Sequence, residues 1–143
     1  MSENSNNPFS MGQITADLYM ADAAIKKAET LSSKAGKFYR GLAGYHLQQA
    51  AEKLIKIQIY DSGIEVNNSK MYRHSLDDLM TYAESIGIEL LVPKWVNTKK
   101  YVITSWEAEG RYDLHFVVRM DTLKRCYEEL NQWREELSNS KKS

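Results

Sequence analysis

His115 is the residue whose surroundings in the sequence best suit chemistry. Arg111 lies four positions before it and Arg119 four positions after it, just past the helix-ending Gly110. A histidine between two arginines has what phosphodiester cleavage requires. The imidazole can move a proton, and the guanidinium groups neutralise charge that builds on the phosphate. The alternative for the same residues is a loop ion pair with Glu109 or Asp113. The other two histidines read as structural. His46 falls at the flank of an apolar helix stripe, as a packed, hydrogen-bonded ring, and His74 immediately precedes Ser75, where it could help fix a helix start. The helix that carries His46 also carries a polar line, Tyr45, Gln49, Glu52 and Lys56, at four-three-four spacing. Glu52 and Lys56 are placed for an i, i+4 ion pair. The line could be a solvated face or a polar seam against a partner helix.

Other chemistries lack their signatures. The sequence has no glycine-rich phosphate loop, no GxSxG, no HExxH, no CxxC and no Glu-x-x-His pair, so neither a metal nor another cofactor is expected. The single Cys126 excludes an internal disulfide, and its place in a helical pattern marks it as a small core or boundary residue. With no basic-then-apolar leader at the start, it points to a reducing cytoplasm. Nineteen basic and nineteen acidic residues cancel, which excludes a general electrostatic binder of nucleic acid. A local patch remains between Lys94 and Arg125, where seven basic residues (Lys94, Lys99, Lys100, Arg111, Arg119, Lys124, Arg125) stand against four acidic ones. An ordinary solvated helix surface is the alternative there.

The elements that must position these residues are all helical. At 143 residues, 43% hydrophobic and 27% charged, the chain fits one domain with a real core. No apolar stretch is long enough for a membrane span. The first helix starts at a capping box of Ser10 and Gln13, carries Ile14, Leu18, Ala21, Ile25 and Ala28 on one stripe, and ends near Ser33. Gly36 breaks the pattern. The second helix runs from about Lys37 to Tyr60 with Ala43, Leu47, Ala50, Leu54 and Ile57 inward, and with glycines and alanines that permit a close helix approach. Gly63 ends it in the left-handed conformation.

Residues 61–74 form a polar connection. The third helix begins at Ser75 and ends at Gly87, carrying Leu76, Leu79, Met80, Ala83 and Ile86 inward. The fourth starts at Pro93 and presents Trp95, Val102 and Trp106. A connector over 111–120 leads to a fifth helix, from about Asp121, that buries Leu123, Tyr127, Leu130, Trp133 and Leu137. The expected architecture is an all-α, up-and-down antiparallel bundle of four to five helices. It occupies residues 11–138, between a disordered lead (1–10) and a frayed tail (139–143).

Three stretches of this pattern resemble the HEPN domains, small helical bundles named for higher eukaryotes and prokaryotes and for nucleotide binding. YHLQQAAEKLIKIQI, Tyr45 to Ile59, is similar to the family's aromatic or histidine residue followed by Gln-x-Ala-x-Glu-Lys and another lysine. Gln48, Gln49, Ala50, Ala51, Glu52, Lys53 and Lys56 supply it here. HSLDDLM, His74 to Met80, resembles the His-x-Leu start of the family's third helix. Arg111-Tyr112 resembles its Arg-Tyr motif, with Asp113 where proline is usual.

The resemblance implies a homodimer, often paired with a minimal nucleotidyltransferase as a toxin–antitoxin system. In active members it implies a metal-independent ribonuclease. That family's signature is an arginine, four to six residues, then a histidine. Arg111 and His115, the catalytic candidates, have three residues between them; Arg40 and His46 have five but sit in the second helix. Arg119, Tyr112 and Lys53 are the candidate nucleotide or RNA contacts. A non-catalytic helical module that holds a partner protein is the rival expectation.

Overall fold

The computed structural model describes residues 9–107 and 118–142, and among these it is all-helical, with six helices and no strand. Helix α1 (Met11–Glu29) begins at the expected capping box: Ser10 Oγ accepts from Gln13 N–H, and Gln13 Oε1 accepts from Ser10 N–H. Its four-three rhythm buries Ile14, Leu18, Ala21, Ile25 and Ala28.

Helix α2 (Ser33–Asp61) starts earlier than the sequence predicts. Ser32 caps it, accepting from Ala35 N–H, and the α1–α2 connection shrinks to residues 30–32. Gly36 is therefore not a break. It lies in the first turn of α2, and a methyl group there would sit 3.0 Å from the Ala28 carbonyl oxygen of α1. The missing side chain lets the two helices pack closely where they meet.

The polar connection after α2 contains a further short helix, α3 (Asn68–Met71), which anchors the loop through the buried Met71. Helix α4 (Leu76–Ser85) is capped by Ser75, which accepts from Asp78 N–H, and buries Leu76, Leu79 and Ala83. Gly63 and Gly87 take positive φ after α2 and α4, the left-handed turn that ends a helix cheaply only at glycine. Helix α5 (Lys94–Ser105) has Pro93 at its cap position, but its buried face differs from expectation. Val96 and Ile103 point inward and Val102 is exposed, while Trp95 is only partly covered. Helix α6 (Met120–Lys142) continues as helix into the predicted frayed tail, as far as Lys142. Leu123, Cys126, Leu130, Trp133 and Leu137 form its buried stripe, and Tyr127, expected inward, is only partly buried.

Helix α2 is the hub, in contact with α1, α4, α5 and α6. Trp106, just beyond α5, is buried against it at Gly44, where an added methyl would meet the indole at 3.1 Å. No helix among the described residues is long and apolar enough to cross a membrane.

Candidate functional site

Arg111, Tyr112 and His115 lie outside the described residues, so the site is built from what surrounds their point of departure. The chain passes Trp106 while that side chain is held on Gly44, about one helical turn of α2 from Gln48. From Gln48 onward, α2 carries its polar residues into the interior.

The polar line of α2 is a buried seam rather than a solvated face. Gln48, Glu52 and Lys56, at successive i, i+4 steps, are all buried, while Tyr45 and Gln49 are half-buried. Glu52 is the centre. Its Oε2 accepts from Lys56 Nζ at 2.8 Å, and its Oε1 accepts from Gln48 Nε2 at 3.0 Å and from His74 Nδ1 at 2.9 Å. Gln48 also donates to the His74 carbonyl oxygen at 3.0 Å and accepts from Gln49 Nε2 at 2.8 Å. The Glu52 and Lys56 side chains are 7% and 6% exposed. Such a pair survives burial only because each carboxylate oxygen has a donor, so the desolvation cost is met by charge-assisted hydrogen bonds. The Phe9 ring covers Lys56, 5.8 Å from Nζ. His74 is placed by two neighbours: its ring and its carbonyl are both tied to α2, and Leu76 N–H donates to Thr104 Oγ1 at 3.1 Å, pinning the start of α4 to α5.

A second cluster joins α1 to α2. Asp17 Oδ1 accepts from His46 Nδ1 at 3.1 Å, and Asp17 Oδ2 takes Lys53 Nζ at 2.5 Å. Burial alone would raise the Asp17 carboxyl; the hydrogen bonds from His46 and Lys53 outweigh it and hold the group below the usual carboxylate range. His46 is thus the packed, hydrogen-bonded ring that its position suggested, set edge-on to Tyr45 at 5.2 Å. Lys53, a candidate nucleotide contact, has its ammonium committed to Asp17. Nothing in the local pattern of α1 marked Asp17; its role depends on a partner helix that periodicity does not reveal.

Arg119 forms a two-pronged bond with Asp121, Nε to Oδ1 at 3.1 Å and the terminal nitrogen to Oδ2 at 3.2 Å, on an open surface. Three further cations of the basic window have carboxylate partners. Lys100 meets Asp77 at 2.8 Å, Lys124 meets Glu29, and Arg125 meets Glu129 at 2.8 Å while lying over the Trp95 ring at 5.6 Å. Carboxylates from α1 and α4, distant in sequence, offset part of the positive excess counted along the window. Arg40, the other half of the family-like spacing with His46, donates to the Ser33 carbonyl at 2.9 Å and so serves the start of α2. Among the described residues, no group of three or more His, Cys, Asp or Glu side chains could hold a metal ion. No protein-family model, no curated protein and no solved structure matches this chain.

Proposed function

We propose that this chain is a HEPN-type helical protein that binds nucleotide or RNA. In this reading it works as a homodimer, one half of a toxin–antitoxin-type pair with a minimal nucleotidyltransferase. One observation carries the proposal. Two of the three motifs that suggest the family, from separate parts of the sequence, meet in space, His74 of the His-x-Leu stretch on Glu52 and Gln48 of the Gln-x-Ala-x-Glu-Lys stretch. Two stretches that serve one contact have a physical reason to occur together, which chance matches lack. Metal-independent RNA cleavage by Arg111 and His115 is the stronger form of the proposal, with the imidazole moving protons and the guanidinium steadying the phosphate.

The test is wild type against His115→Ala and Arg111→Ala on single-stranded RNA with EDTA present. Cleavage that both variants lose supports the stronger form, and cleavage unchanged in both removes the site. RNA binding without cleavage, weakening steeply as salt rises, supports the binding form alone. Absence of both binding and cleavage overturns the proposal.

A second reading, a module that holds a partner protein, draws on the exposed aromatic side chains. Tyr19 on α1, Phe38 on α2 and Tyr101 on α5 are 71%, 69% and 66% exposed. This reading expects partner binding nearly insensitive to salt and no affinity for nucleotide.

A further inference from the structure

The Glu52–His74 contact has the makings of a covalent site that RNA binding does not use. An ionised carboxylate can only accept a hydrogen bond, so the His74 Nδ1 that lies 2.9 Å from Glu52 Oε1 must carry a proton. In the neutral ring the lone pair is then on Nε2. That nitrogen has no hydrogen-bond partner among the described residues, on a side chain that is 57% exposed. Fixing the tautomer in this way leaves the nucleophilic nitrogen on the part of the ring away from Glu52, in a side chain that is largely exposed. Lys56 sits on the other carboxylate oxygen at 2.8 Å and offsets its charge, so the carboxylate orients the ring without strongly repelling an incoming anion.

We infer that His74 Nε2 is a phosphoryl-acceptor site, taking a phosphoryl group from a small, activated donor of the phosphoramidate or acyl-phosphate class. The Nε2 lone pair attacks phosphorus, the N–P bond forms, and the donor's bond to its leaving group breaks. With phosphoramidate the leaving group is ammonia. The Nδ1 proton stays on the ring, which becomes cationic, and Glu52 stabilises that charge through the same hydrogen bond. No side chain has to be deprotonated first.

His46 is the internal control. It has the same Nδ1-to-carboxylate contact, on a carboxylate that also holds a lysine, yet only 17% of its side chain is exposed. The orientation is equal and the access is not.

The experiment treats the full chain with phosphoramidate and locates the label by mass spectrometry of peptides kept at neutral to alkaline pH, because phosphohistidine is acid-labile. The expected result is phosphoryl transfer to His74 at a rate at least about tenfold that of His46, lost in His74→Gln. Glutamine can still donate to Glu52, and an unchanged circular dichroism spectrum shows that this variant is folded. Nitrogen-15 spectra should show His74 with its proton on Nδ1. An Nε2–H tautomer, equal labelling of His46, or label only at His115 or at no histidine would each overturn the inference. The outcome is independent of RNA binding: His74 labelling in a chain without RNA affinity upholds this site and not the proposed function.

Discussion

Asp17 and Glu52 each hold one imidazole through Nδ1 and one lysine ammonium, and both clusters are built on α2. They differ in what they join and in how water reaches them. Asp17 ties two long neighbouring helices together, with all three of its members partly covered. Glu52 is buried with its lysine, adds a buried glutamine, and holds an imidazole that stands largely in solvent. The same three chemical groups thus make a brace in one place and, in the other, a fixed base beneath an accessible nitrogen. Composition does not separate the two; the depth of the carboxylate and the exposure of the ring do.

Glu52→Ala should break the difference most severely. It strands Lys56 as a buried, unpaired cation and frees Gln48 and His74, and a loss of about 3–5 kcal/mol in urea unfolding is expected. Asp17→Asn should cost less, about 1–2 kcal/mol at neutral pH, because His46 and Lys53 can turn to water. The pH dependence sharpens the contrast. The folded Asp17 carboxyl titrates below its unfolded value, so its contribution is fully present above the unfolded pKa of about 3.9 and is lost as pH falls through the folded value. The stability gap between wild type and Asp17→Asn should be flat above about pH 5 and narrow below about pH 4. The smallest effect belongs to His74→Gln, less than about 1 kcal/mol, since the amide still reaches Glu52 and the ring covers little. If His74→Gln proves as costly as Glu52→Ala, the accessible imidazole is a structural brace after all.

The sequence told a great deal about α1, α2 and α6, where one apolar stripe repeats for several turns, and a capping box marks the start of α1. It misled where a residue has two meanings. Gly36 suggested a stop because glycine ends helices, yet its use is the close approach to Ala28. For α5 the sequence points to Trp95, Val102 and Trp106; Trp106 is buried as expected, while the rest of the inward face is Val96 and Ile103. The polar seam was half legible: the spacing of Glu52 and Lys56 is local, but His74 and Asp17 reach the α2 clusters from 22 and 29 residues away. No window along the chain contains those pairings. The charge of the basic window was only partly legible for the same reason, because Glu29 and Asp77 meet two of its lysines from other helices.

Cys126 gives the folded bundle a built-in clock. The only thiol in the sequence is fully buried in the α6 stripe, and burial pushes it far above the usual range for cysteine. A thiol reagent added to the native protein meets nothing to react with until α6 lifts from α1 and α2. The rate of labelling therefore counts those openings, at equilibrium and without denaturant, and converts the packing of a single helix into a time that can be measured.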